Sequence, residues 1–125
     1  MANFLPRLAP FIAALALSVG AAAAATTPVV HKVGAVTWHA KKFVGQQLFL
    51  KGYVLSVENG YVLFSDEPTG KVSAHDLPVT GPGIDAMQLS GKYQIEGVFL
   101  DHGLAAANGS PYHFELSAPP AALDH

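Results

Sequence analysis

The residues best equipped for chemistry lie in one stretch, residues 63–83, which reads "LFSDEPTGKVSAHDLPVTGPG". Its "SAHD" segment supplies a serine, a histidine and an aspartate, the residue types of a hydrolase triad. On a strand, neighbouring side chains point to opposite faces, so His75 and Asp76 diverge while Ser73 and His75 share a face. The sequence around Ser73 also lacks a sharp nucleophile turn. The pattern therefore disfavours a triad, and we predict no catalytic residue.

Strand patterns surround this stretch. "QLFLKGYVLSVE" is rich in β-formers and carries apolar side chains on both faces, with Gly52 placed to allow a bend or bulge. Asn59-Gly60 predicts a tight hairpin turn into "YVLFSD", and "KVSAHDL" predicts a third strand over residues 71–77. "IDAMQLS", residues 84–90, fits a short helix, and "KYQIEGVFL" and "PYHFELS" supply two more strands.

Closing these five strands into a barrel would bury both faces of the first strand and remove the exposed edges. This succession of elements resembles the OB-fold. The resemblance rests on "VGQQLFLKGYV" as the first strand and "YVLFSD" as the second. The resemblance implies an all-β, five-stranded Greek-key barrel with one short helix between strands 3 and 4. Exported OB-fold proteins include periplasmic stress-associated proteins and the haem chaperone of cytochrome c maturation. No histidine here precedes a tyrosine by four residues, as in that chaperone, so haem attachment is not implied.

A metal site is one alternative for the histidines. In an OB barrel the third and fifth strands are neighbours, so His75 and His113 would approach each other, with His102 in the loop between strands 4 and 5. Imidazoles with a nearby carboxylate from Asp66, Asp76 or Glu115 would suit zinc or copper. No spacing matches a metal signature, so half-exposed strand histidines are favoured and no cofactor is predicted.

A ligand-binding face is the other alternative. Tyr53, Tyr61 and Phe64 lie on the first two strands, close to the surface that OB barrels use for ligands. Lys71, His75 and Asp76 would add polar contacts beside them. For each ring taken singly, burial in the barrel core is the favoured alternative, because large apolar side chains are usually buried.

The N-terminus predicts export. Arg7, an apolar run over residues 8–19 and the small residues of "GAAAAATT" form a signal peptide with cleavage near Ala25. An uncleaved anchor is the alternative, which the weakly apolar alanines and the prolines at positions 6 and 10 disfavour. The remaining 100 residues divide into a lead-in (26–43), a barrel (44–118) and a flexible tail (119–125).

Composition excludes several function classes. The chain has no cysteine, which excludes thiol chemistry and attached c-type haem. Its six lysines and nine acids after residue 25 give a net charge of −3 without any arginine, which disfavours nucleic-acid binding. We therefore expect a periplasmic or secreted binding module, without a membrane span after cleavage, for a small molecule, glycan or protein partner. The alternatives are a metal-binding protein or hydrolase centred on His75 and His113, and a structural subunit of an envelope complex.

Overall fold

The computed structural model describes residues 28–124, so the predicted signal peptide lies outside the described residues. The strands, in chain order, are β1 Val30–Lys32, β2 Gln47–Val57, β3 Val62–Ser65, β4 Leu77–Thr80, β5 Lys92–Leu100, β6 His113–Leu116 and β7 Ala121–Ala122. An α-helix, α1, spans Val33–Thr37, and short 3-10 helices span Ala40–Lys42 and Ile84–Ala86. None of the helices in this part of the chain is long and apolar enough to cross a membrane.

Strands β2 to β6 form a closed five-stranded barrel in the order β2-β3-β4-β6-β5, with β5 pairing back to β2. All of these pairings are antiparallel except the parallel pairing of β4 with β6. β1 adds to the edge of β2, and β7 adds to β5 within the segment that the sequence predicts to be a flexible tail. The prediction of an all-β closed barrel of five strands is confirmed.

Strand β2 closes the barrel by changing partners along its length. Its first part, Gln47 to Tyr53, pairs with β5, and its second part, Tyr53 to Val57, pairs with β3. β1 occupies the edge of the first part that β3 does not reach. The register shift with β3 falls between Val54 and Ser56 rather than at Gly52. Gly52 serves a different need, because a Cβ there would lie 2.6 Å from the carbonyl oxygen of Ser65.

The core is filled from one face of each barrel strand and from the lead-in. Phe64, Phe99 and Phe114 are its largest fully buried side chains. The residues of β2 that point inward all have even numbers, while Phe49 and Tyr53 are only half-buried. The prediction that barrel closure buries both faces of this strand is wrong for the outer face, where Lys51 and Val57 are exposed. Val33 and Val36 of α1 complete the core.

The helix position differs from the prediction. The α-helix precedes the barrel, and only the 3-10 turn Ile84–Ala86 lies between β4 and β5. Tyr93 explains why this turn does not continue as a helix. Its hydroxyl accepts the N–H of Gln88 at 2.8 Å and donates to the carbonyl of Ala86 at 3.3 Å, so a side chain takes the place of the next helical bond.

The third barrel strand also begins later than predicted, at Leu77 rather than Lys71. The side chain of Asp76 accepts the N–H of Ser73 at 2.7 Å, which closes a turn immediately before the strand. Pro78 then lies inside the strand, where a missing N–H is usually unfavourable. The pairing with β6 begins only at Val79, so Pro78 has a strand neighbour on one side alone.

Candidate functional site

A cleft of about 380 Å³ lies on the outer surface where β2 leaves β5 and joins β3. Its volume falls within the range of small-molecule sites. We call it the lysine cleft, and its lining residues are Lys32, Lys51, Gly52, Tyr53, Asp66, Glu67 and Lys92.

Strand register brings the three lysines together from distant parts of the sequence. Lys32, at the end of β1, is the partner of Lys51 on β2. Lys92, at the start of β5, is the partner of Tyr53, two residues further along β2. Lys51 and Tyr53 point outward because the intervening residues of β2 point into the core. Three of the six lysines after residue 25 therefore share one concave surface.

The positive charge of this cleft is only partly compensated. Among residues 28–124, no lysine lies within 4.0 Å of a carboxylate. The carboxylate of Asp66 lines the cleft, but its two oxygens accept the backbone N–H groups of Val33 and Gly34 at 2.8 and 2.9 Å. It thereby satisfies the first N–H groups of α1 and fixes the helix to the end of β3. Glu67 is the second acid at the rim.

Tyr53 forms an aromatic wall of the lysine cleft. The Nζ atom of Lys92 lies 5.8 Å from the centroid of the Tyr53 ring, within the range of a cation–π contact. Gly52 lines the cleft beside it through its backbone, since a Cβ there would point inward and lie 2.6 Å from the carbonyl oxygen of Ser65. The arrangement offers ammonium groups and a ring face to a ligand.

The three aromatic residues predicted to bind ligand have separate environments. Tyr53 lies in the lysine cleft, as described. Phe64 is fully buried and contributes its ring to the barrel core, the favoured alternative for any one ring. The hydroxyl of Tyr61 accepts the N–H of Ala107 at 2.9 Å, so this side chain anchors the loop between β5 and β6.

That loop is hydrogen-bonded to residues that flank β3 and β4. Tyr61 precedes β3 and Asp76 precedes β4, so they lie at opposite ends of the antiparallel pair. Ala107 is bonded to the side chain of Tyr61, and the next loop residue, Asn108, donates to the backbone oxygen of Asp76 at 2.9 Å. Leu63, on the outer face, is only 1% exposed. The face on which Tyr61 was expected to meet a ligand is therefore covered by the chain itself.

The predicted polar contacts do not join Tyr53. Lys71 is exposed in the loop before β4 and does not line the lysine cleft. The ring of His75 stacks on the indole of Trp38, with centroids 3.6 Å apart and an interplanar angle of 14°. Asp76 is buried and holds the turn at Ser73. Ser73 and Asp76 thus engage backbone groups, and no side-chain hydrogen bond links either of them to the His75 ring within the described chain.

The histidines proposed as metal ligands are likewise dispersed. Within residues 28–124 no three histidine or acidic side chains are grouped as a metal site requires, so the metal hypothesis gains no support. His113 is buried at the start of β6, and its Nδ1 atom has no hydrogen-bond partner among the described residues. Burial lowers the pKa of its imidazole below the ordinary value of 6.5; Glu115 opposes this shift and His102 adds to it.

Sequence reasoning missed Lys32, Lys51 and Lys92 because they are separated by 19 and 41 positions and form no motif. The available signal was the alternation within β2. Once Leu48, Leu50 and Val54 are assigned to the core, Lys51 must point outward together with Tyr53.

Comparison with known proteins identifies a fold and no activity. No family model matches the sequence, and no curated protein matches it. The similar solved structures include two with TM-scores above 0.5. The OBody AM3L09, solved bound to hen egg-white lysozyme, has a TM-score of 0.54 at 14% identity over 80% of this chain and 98% of its own. A putative aspartyl-tRNA synthetase from Leishmania major Friedlin has a TM-score of 0.55 at 10% identity over 78% of this chain and 21% of its own.

A DUF3299 family protein from Pseudomonas aeruginosa PAO1 has a TM-score of 0.49 at 14% identity, over 68% of this chain and 66% of its own. The chain thus spans slightly less than two thirds of the Pseudomonas protein and about a fifth of the Leishmania protein. At such identities, structural likeness carries the fold alone, because one barrel hosts many unrelated functions. The chain is a small β-barrel protein whose function must be argued from its own surface.

Proposed function

We propose that the protein is an exported, non-catalytic OB-fold module that binds a small organic anion in the lysine cleft. The strand order β2-β3-β4-β6-β5, with its parallel β4–β6 pair, supports the OB-fold assignment. The N-terminal pattern of residues 1–25 supports export. The observation that carries the binding proposal is the convergence on one cleft of three lysines that have no carboxylate within 4.0 Å among residues 28–124.

Electrostatic cost is the first part of the argument. Lys32 and Lys51 are direct neighbours across β1 and β2, and like charges at such positions repel each other. Placing Lys92 on the same cleft increases that repulsion. A bound anion would relieve it, and the excess of lysines over the two carboxylates of the cleft favours anions there.

Shape is the second part. The cleft has an aromatic wall in Tyr53, so a flat organic group can pack beside the ring while its anionic group meets the lysines. Lysine ammonium groups act as point charges and accept either a carboxylate or a phosphate. We therefore expect carboxylate and phosphate compounds to compete for one site.

Titration of the purified protein with pyrophosphate and with citrate tests this proposal. We expect saturable binding by calorimetry at low ionic strength, with shifts of the Gly52 and Tyr53 amide signals in NMR spectra. Replacing Lys51 or Lys92 by glutamine should weaken the affinity about three- to tenfold each, as expected for losing one charge contact of roughly 1 kcal/mol.

Lys71→Gln is the matched control, because it removes the same charge from an exposed position outside the cleft. It should leave the dissociation constant within twofold of the unsubstituted protein. Absence of saturable binding for both probes would refute the proposal. An equal loss in all three variants would also refute it, because the effect would then come from net charge rather than from the cleft.

A further inference from the structure

A second surface combines an exposed tryptophan with cations and lies apart from the lysine cleft. Trp38 follows α1 and is 66% exposed, although it is the largest apolar side chain of the chain. It borders a shallow cleft of about 360 Å³ that shares no residue with the lysine cleft. We call this the tryptophan cleft; its lining residues are Thr37, Trp38, His39, Ala40, Lys41, Lys42 and Tyr112.

The indole of Trp38 is held in a fixed orientation. One side is covered by the His75 ring at 3.6 Å, and His75 belongs to the turn that Asp76 closes. Asn108 also donates to the backbone oxygens of Ser73 and Asp76, at 2.9 Å each, which fastens the turn to the loop before β6. A ring supported in this way meets a ligand with little further loss of conformational entropy.

The surroundings of Trp38 are cationic and polar rather than apolar. His39, Lys41 and Lys42 are exposed, and no carboxylate of the described part of the chain lines the cleft. Tyr112 forms another wall, with its own ring fixed by stacking on Phe99 at 5.2 Å. At a protein–protein contact, an anchoring tryptophan usually lies in a tightly packed, fully desolvated pocket. Here the ring is isolated within an open rim of polar groups.

We infer that the tryptophan cleft binds an acidic saccharide. A pyranose ring has a face of C–H groups that packs on an aromatic ring and a rim of hydroxyl groups that suits polar neighbours. Its carboxylate would lie against the ammonium groups of Lys41 and Lys42. Neutral sugars would keep the stacking and lose the charge contact, so the cleft discriminates in favour of acidic ones. This inference is independent of the anion proposed for the lysine cleft.

Trp38 itself supplies the measurement, because it is the only tryptophan in the chain. Titrating the purified protein with trigalacturonate should change its fluorescence saturably, and maltotriose should bind at least tenfold more weakly. Saturating pyrophosphate should not displace trigalacturonate at moderate salt. The double variant Lys41→Gln/Lys42→Gln should weaken trigalacturonate about tenfold or more while leaving maltotriose unchanged.

Calorimetry with Trp38→Ala should show no trigalacturonate binding, and this exposed substitution should leave the melting temperature nearly unchanged. Lys71→Gln, an exposed lysine outside both clefts, should bind trigalacturonate like the unsubstituted protein. The inference is overturned by equal affinity for the two saccharides, by no saturable change, or by unchanged binding in Trp38→Ala.

Discussion

Replacing Asp66 by asparagine should change stability and ligand affinity in opposite directions. The carboxylate accepts two partly buried backbone N–H groups, at 2.8 and 2.9 Å, from Val33 and Gly34. Asparagine keeps one acceptor and presents a donor to the other N–H group. Hydrogen bonds to charged groups contribute about 1.5–3 kcal/mol, and N-terminal caps about 0.5–2 kcal/mol. We therefore expect a loss of about 2 kcal/mol in the free energy of unfolding.

For a domain of this size, that loss corresponds to a decrease of about 8–16 °C in melting temperature. The same substitution removes a negative charge from the rim of the lysine cleft. Pyrophosphate should then bind about two- to fivefold more tightly, which is the effect of one exposed charge, about 0.4–1 kcal/mol. Thermal denaturation monitored by circular dichroism and calorimetric titration at low ionic strength measure the two effects.

Asp85→Asn is the matched control, since it removes the same charge from an exposed position in the 3-10 turn Ile84–Ala86. It should alter neither quantity appreciably. If Asp66→Asn left the melting temperature unchanged, the contact between α1 and the end of β3 would have no stabilising role. If it weakened pyrophosphate binding, the electrostatic account of the lysine cleft would be wrong.

Two further predictions concern the barrel itself. Gly97→Ala should cost about 3 kcal/mol in urea unfolding, because its Cβ would lie 2.1 Å from the backbone oxygen of Glu115. Gly45→Ala is the control: its Cβ would meet no atom of residues 28–124 within 4 Å, so it should cost only about 1 kcal/mol for its positive φ. Burial lowers the pKa of His113 in the folded protein, so on acidification the unfolded chain takes up this proton before the folded protein does. The free energy of unfolding should therefore fall as the pH drops below about 6.5, and this fall should end once the pH is below the folded pKa. His113→Gln should remove this pH dependence of the free energy of unfolding, which is at most about 1.4 kcal/mol per pH unit, while His102→Gln should keep most of it. If His113→Gln showed the same slope as the unsubstituted protein, this account would be contradicted.

The barrel was predictable because its signals are local or periodic. The apolar residues of β2 and the Asn59-Gly60 turn predict a strand and a hairpin wherever the rest of the chain lies. The start of β4 was not predictable in this way. It depends on the Asp76 side chain closing a turn and on the late start of the β6 pairing, which lets Pro78 enter a strand. Both features depend on contacts between side chains and between strands, which the secondary-structure propensities of single residues do not predict.

The candidate site was less predictable, because strand register decides it. A shift of one residue between β1 and β2 would separate Lys32 from Lys51, and no spacing in the sequence specifies that register. Tyr53 was predicted to bind ligand and lines the lysine cleft, but its neighbours there come from the ends of three other segments. Trp38 and His75, 37 positions apart, are adjacent only because the lead-in packs beside the turn before β4.

The covered face of β3 and β4 explains why both candidate clefts lie elsewhere. Leu63 is buried although it points away from the core, and the loop through Ala107 and Asn108 is bonded to both ends of the strand pair. A ligand on that face would have to displace these hydrogen bonds and expose Leu63, which would cost free energy that binding must first recover. The lysine cleft and the tryptophan cleft carry no such cost, because strand ends and the lead-in already form them. Binding is therefore expected at the margins of the barrel.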